Sequence, residues 1–135
     1  MMFIDTSALI AILTGEPDAD MLAERLNGAD HRNTSTIVRL ETCAVLATRL
    51  DISPIAADGL FDELIKEANI AITPITDDIG KRAVECFQTY GKGRHPARLN
   101  IVDCLSYACA KALGATLLFK GEDFSQTDVN SPTTP

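Results

Sequence analysis

Tryptophan is absent from the 135-residue chain, and aromatic residues make up only 5% of it. Recognition by base stacking therefore has few rings to draw on. Histidine occurs twice, at His31 and His95, and the cysteines Cys43, Cys86, Cys104 and Cys109 form no Cys-x-x-Cys pair. This set excludes the usual zinc-ligand spacings, so the thiols are expected to be reduced and packed as small apolar groups. No run of about 18 uncharged apolar residues is present to span a membrane. The apolar start Met1 to Leu13 is interrupted by Asp5 and lacks a basic leader, so a soluble, unexported, cytoplasmic protein is expected.

Positive charge is also scarce, and the net charge of −7 argues at first sight against a polyanionic partner. Its distribution says otherwise. Between Lys81 and Arg98 five basic residues (Lys81, Arg82, Lys92, Arg94 and Arg98) face one acid, Glu85, while the rest of the chain carries 7 basic and 18 acidic residues. That pattern predicts a basic strip beside an acidic cluster.

What the chain does have is a regular alternation of strand and helix signals, and 46% hydrophobic residues to build one core. Met1 to Ile4 reads as a strand that ends at Asp5 and feeds a helix stopped by Gly15. A second helix runs from Pro17 to about Gly28, and Asp30 to Asn33 reads as a polar connection. A helix follows from Ser35 or Thr36 to about Asp51, with Ile37, Leu40, Ala44 and Val45 on its apolar side and Arg39, Thr42 and Arg49 pointing away. Ser53-Pro54 opens the next helix, Ile70 to Thr73 a strand, and Asp77 to about Tyr90 another helix. Gly91 to Arg98 is a basic loop, Asn100 caps a helix to Leu113, and Ala115 to Phe119 is an apolar strand. Thr127 to Asn130 could add a last strand, with a loose tail from about residue 131. The whole predicts a single α/β domain spanning residues 1–135 around a short, mainly parallel sheet, with sites at the carboxyl ends of the strands.

Four acids fall where such a site would form, and each has a structural alternative. Asp5 ends a strand expected in mid-sheet, but could simply cap the helix after it. Glu41 is placed among apolar neighbours, where a carboxylate is rare unless paired or metal-bound; a salt bridge would also suffice. Asp103 stands three residues after Asn100, where a capping box accounts for it. Asp123 follows a core strand and Gly121, an ordinary turn position, with Glu122 as its rival. Four carboxylates meeting at one sheet edge would repel one another unless cations joined them, and hard divalent ions such as Mg²⁺ take oxygen ligands.

The blocks Phe3-Ile4-Asp5-Thr6-Ser7-Ala8-Leu9, Ser35 to Glu41, Leu99 to Tyr107 and Leu117 to Phe124, in this order and spacing, resemble the VapC toxins of the PIN-domain family. The resemblance covers essentially the whole chain and includes the Tyr90 to His95 loop. It implies a PIN-like three-layer α/β/α sandwich and a Mg²⁺-dependent (or Mn²⁺-dependent) endoribonuclease, inhibited by a cognate VapB antitoxin and usually a homodimer. It also implies Asp5 and Asp103 as direct metal ligands, Glu41 and Asp123 as outer or second-metal ligands, and Ser7, with Thr6, in support. Lys92, Arg94 and Arg98 would then guide the RNA backbone, with Tyr90 and Phe124 the nearest aromatics. By family analogy, exposed apolar residues between Leu9 and Leu26 would meet the antitoxin. Two other Mg²⁺-binding α/β classes fit less well: a receiver-like module needs adjacent acids after the first strand, and a haloacid-dehalogenase-type phosphatase needs Asp where Ser7 stands. A PIN-like module that only binds partners is the remaining alternative.

Overall fold

A computed structural model describes residues 1–129 of the chain. Strands β1 (Met2–Ile4), β2 (Arg32–Ser35), β3 (Ile70–Thr73) and β4 (Thr116–Leu118) form one sheet in the order β3-β2-β1-β4, and every neighbouring pair is parallel. Helices α1 (Thr6–Thr14), α2 (Ala19–Asn27), α3 (Thr36–Leu50), α4 (Pro54–Ala68), α5 (Asp77–Tyr90) and α6 (Ile101–Leu113) complete it, followed by a 3-10 turn at Phe124–Gln126. Met2, Phe3 and Ile4 are all buried although successive side chains point to opposite faces of the sheet, so both faces are covered. The result is the expected three-layer α/β/α sandwich.

Local chemistry sets most helix boundaries. Ser35, Ser53, Thr76 and Asn100 each take up a backbone N–H three residues on, at the starts of α3, α4, α5 and α6. The four cysteines are buried, as expected for small apolar packing groups. Among the described residues no helix is long and apolar enough to cross a membrane.

Three expectations need correction. The polar connection is in fact β2, an inner strand between β1 and β3, and its polar side chains are matched by carbonyls of other segments. Thr34 Oγ1 donates to Ile4 O at 2.9 Å, and the Arg32 guanidinium donates to Leu26 O, Ala68 O and Asn27 O at 2.7, 2.8 and 2.9 Å. The buried face of α3 comprises Val38, Thr42, Cys43 and Leu46, whereas Leu40 is 65% exposed and Ala44 is exposed. Arg39 lies over the Phe61 ring and pairs with Asp58 and Asp62, so α4 takes the side of α3 that carries it. The final strand does not form either: Phe124–Gln126 is a 3-10 turn and Thr127–Val129 has no strand pairing. Asn130 and the expected tail lie outside the described residues.

Arg32 thus caps the carbonyl ends of two helices from one inner strand. Arg32→Ala should destabilise the protein by about 2–3 kcal/mol, and Arg32→Lys should recover only part of that, because an ammonium lacks the planar fork. Urea unfolding midpoints check both, and an unchanged midpoint in Arg32→Ala would remove this role.

Candidate metal centre and its basic flank

β1 delivers Asp5 to the carboxyl edge of the sheet, where the residue is 3% exposed. The chain turns at once into α1, and Asp5 is its N-cap: Oδ2 accepts from the Ser7 backbone N–H at 3.1 Å and from Ser7 Oγ at 2.7 Å. Both bonds fall on the same oxygen. Asp5 Oδ1 is buried without a hydrogen-bond partner, as is Oγ1 of Thr6 beside it. Burial pushes the Asp5 carboxyl above its usual range, against the pull of Ser7.

Asp103 repeats the arrangement at the start of α6. Its Oδ2 accepts from the Asn100 N–H at 3.0 Å while Asn100 Oδ1 accepts from the Asp103 N–H at 2.8 Å, a complete capping box. Oδ1 has no hydrogen bond among the described residues. Burial raises the Asp103 carboxyl to about 7; the Asn100 amide opposes this, and the charges of Asp5, Glu41 and Asp123 add to it. The four expected acids therefore do share one electrostatic neighbourhood.

Glu41 stands half-buried on α3, at the flank of its buried ridge rather than at the centre of an apolar face. Burial raises its carboxyl and the Asp5 charge raises it further, with the Thr6 hydroxyl acting against both. Asp123 is exposed at the head of the 3-10 turn and makes no capping hydrogen bond there. Of the adjacent pair, Asp123 and not Glu122 figures among the charges acting on Asp103.

One site residue escaped the sequence argument. Ser106, fully buried on α6, places its hydroxyl beside Asp5 and lowers that carboxyl's pKa. Its spacing of three from Asp103, which puts both on one side of a helix, was the available signal.

These oxygens suit a hard cation. Among the described residues no three acidic, histidine or cysteine side chains are gathered into a ready-made ligand cluster. Mg²⁺ does not require one, since it commonly takes one or two carboxylates and keeps several waters. The bare Oδ1 of buried Asp5, whose charge is felt by Glu41 and Asp103, is the feature such an ion would fit.

The basic loop adjoins the amino end of α6. Gly91 and Leu99 form a bridge at its neck, with Lys92 N–H donating to Leu99 O at 2.9 Å and Leu99 N–H to Tyr90 O at 3.0 Å. A Cβ on Gly91 would collide with the Phe87 carbonyl and come within 2.7 Å of the Phe87 ring, so this neck admits only glycine. Lys92, Arg94 and Arg98 are exposed and form no ion pair among the described residues. Lys81 and Arg82 do not extend the strip, because Asp77 and Asp78 pair with them one helical turn away. Phe124 is 3% exposed and packed on Phe119, so it offers no stacking surface. Between Leu9 and Leu26, Met21 is 43% exposed whereas Leu9, Ile10, Leu22 and Leu26 are buried; the exposed large apolar residues elsewhere include Leu40 and Ile55 on α3 and α4, and Val84 and Ile101 across α5 and α6.

Comparison with known proteins identifies the family and the fold. A model of the PIN domain matches residues 2–130. The chain is 44% identical over 128 residues to a ribonuclease VapC of Mycolicibacterium smegmatis, covering 95% of this chain and 97% of the relative. It is 42% identical over 135 residues to ribonuclease VapC30 of Mycobacterium tuberculosis, covering 99% and 100%. Among solved structures, VapC20 of Mycobacterium tuberculosis, a sarcin-ricin loop cleaving toxin, aligns over 100% of both chains with a TM-score of 0.73 and 25% identity. A toxin-antitoxin complex from Klebsiella pneumoniae shares the fold, with a TM-score of 0.69 at 22% identity over 100% of both chains.

The raised carboxyls set a pH dependence. The folded protein keeps a proton on Asp103 up to about 7, whereas the unfolded chain releases it near the ordinary 3.8. Folded protein binds more protons in that window, so metal-free stability falls as pH rises through it, and Asp5 and Glu41 act in the same direction. In chelator, the thermal midpoint should drop from about pH 5 to about pH 8, and Asp103→Asn should flatten the drop. Mn²⁺ added at the upper pH should restore the midpoint. An identical slope in Asp103→Asn would show that this carboxyl does not hold the proton.

Proposed function

This chain belongs to the PIN-domain family, and from that premise we propose that it is a metal-dependent endoribonuclease working as the toxin of a VapBC pair. It is a nuclease acting on RNA, held in check by a VapB-type antitoxin. One observation carries the assignment of the site: Asp5 Oδ1 is buried with no hydrogen-bond partner, beside an Asp103 carboxyl that burial first, and the charges of Asp5, Glu41 and Asp123 after it, raise to about 7. Such crowding is unfavourable in the metal-free protein and becomes useful when a cation shares it.

Asp5 and Asp103 are the direct ligands in this proposal, each offering the oxygen its helix cap leaves free, and Mg²⁺ is the ion favoured by an all-oxygen donor set. When bound, the ion supplies an acidified water for attack on the scissile phosphate and neutralises charge developing there. Glu41 and Asp123 complete the acidic wall, Ser7 fixes the orientation of Asp5, and Thr6 and Ser106 line it with hydroxyls. Lys92, Arg94 and Arg98 hold the RNA backbone beside Asp103, contacts that position the strand without reading its bases. The protein acts in the cytoplasm as a homodimer, and exposed Val84 and Ile101 are apolar surface that a second copy would cover.

Purified protein free of antitoxin should cleave RNA with Mg²⁺ or Mn²⁺ and lose cleavage in EDTA. Asp5→Ala and Asp103→Ala should each reduce the rate by about 100-fold or more. Cleavage that survives EDTA or Asp5→Ala would sink the metal mechanism, and no cleavage with no growth arrest on expression would favour a binding-only module. Lys92→Ala with Arg94→Ala should leave Mn²⁺ binding intact and flatten the slope of log affinity against log salt by roughly 1.4, the loss of two phosphate contacts on single-stranded RNA. An unchanged slope would take this loop off the RNA path.

A further inference from the structure

The segment that carries Asp123 is tied to the turn between α1 and α2 by a lysine with no part in the chemistry above. The Lys120 backbone N–H donates to Ser7 Oγ at 3.0 Å, and that hydroxyl donates to Asp5 Oδ2 at 2.7 Å. With a lone pair of Ser7 Oγ engaged by Lys120, its proton is aimed at Asp5. The Lys120 side chain turns the other way, where Nζ donates to Glu16 Oε1 at 2.5 Å and stands 3.3 Å from Asp18 Oδ1. Glu16 is also reached by Arg49 at 3.5 Å and by Thr14 Oγ1 at 3.4 Å. Asp18 precedes α2 but makes no capping bond, and its Oδ1 is buried without a hydrogen bond, so the ion pair with Lys120 is what balances it.

These groups are shielded more than a surface pair, with side chains 26%, 29% and 34% exposed for Glu16, Asp18 and Lys120. Each end of the contact adjoins a glycine in the left-handed region, Gly15 at φ 65° and Gly121 at φ 98°. Both joined segments are therefore turns whose course regular hydrogen bonding does not dictate. The ammonium is balanced by two carboxylates, and Lys120 is not among the principal charges acting on Asp103. It works through position rather than field.

We propose that Lys120 is a positioning residue: its clamp on Glu16 and Asp18 sets where Asp123 stands relative to Asp103, and thereby the metal affinity of the site. This rests on the assignment of Asp123 to the acidic wall. The test uses the full chain without antitoxin and Mn²⁺ alone as the probe, followed by electron paramagnetic resonance, with RNA cleavage measured in parallel. Lys120→Met should weaken Mn²⁺ binding by about 10-fold, the scale of an outer-shell loss at a metal site, with the KM for RNA unchanged and cleavage recovering in excess Mn²⁺. Lys120→Arg should stay close to wild type. Glu16→Gln with Asp18→Asn should reproduce the Lys120→Met loss from the other side, and adding Lys120→Met to that pair should cost nothing more.

Circular dichroism establishes that each variant is folded, and if Lys120→Met is not, the Glu16/Asp18 pair carries the test. Wild-type Mn²⁺ affinity in that pair, or independent additive losses, would overturn the clamp. Asp123→Ala separates the two levels. If it leaves Mn²⁺ affinity unchanged, the assignment of Asp123 fails and the clamp with it; if it weakens binding while the clamp variants do not, the clamp alone fails.

Discussion

The structure is organised around a carboxylate that an ordinary core would not tolerate. Asp5 is 3% exposed at the end of an inner strand and has no cationic side chain as its partner among the described residues. Burying such a charge is costly unless hydrogen bonds or counterions offset it. The surrounding elements supply the offset in pieces: two bonds from Ser7, the amino end of α1, and the Lys120 amide that orients the Ser7 hydroxyl. What they leave uncompensated is Oδ1, together with the field Asp5 exerts on Glu41 and Asp103. A site in this condition gains by accepting a cation and gains little from any neutral ligand.

Capping and the metal binding proposed for Asp5 and Asp103, which look like competing explanations in sequence, are compatible uses of one group. A carboxylate has two oxygens, and in both residues Oδ2 is spent on a helix start. The cap fixes the side chain and leaves the other oxygen without a hydrogen bond, so the rigidity an ion would need comes from an interaction that also stabilises the helix. This explains why local evidence could not choose between the alternatives. Neither was wrong.

Legibility in the sequence follows the range of the interactions. Helix starts at Ser35, Ser53 and Asn100 were readable because their partners lie three residues away, and the strands Ile70–Thr73 and Thr116–Leu118 because they are apolar. β2 was not, since Arg32 and Thr34 are satisfied by Ala68 and Ile4, far off in the chain. The buried face of α3 was misassigned because apolar residues surround most of that helix and the side chosen by packing includes Thr42, which is fully buried, in place of Leu40. The four acids were picked out from strand ends, caps and the family pattern, while Ser106 was passed over because only its spacing from Asp103 pointed to it. Charge counting overstated the basic strip, because the acids that neutralise Lys81 and Arg82 lie just outside the counted window.

A protein of net charge −7 can still act on a polyanion if the sign of the potential changes over distances comparable to the screening length, about 8 Å at physiological salt. Lys92, Arg94 and Arg98 meet that condition because the Gly91–Leu99 bridge confines them to one short loop that runs directly into α6. Asp103 lies five residues beyond Arg98 on the same chain. On the proposed function, a phosphate drawn to the loop would come to the edge of the acidic wall, where repulsion would turn it away unless a cation had already reduced the charge there. The proposal therefore carries an order of binding: metal before substrate, or the two together. The clamp at Lys120 fits that order, since it spends its positive charge on Glu16 and Asp18 and leaves the acidic wall for the ion to neutralise.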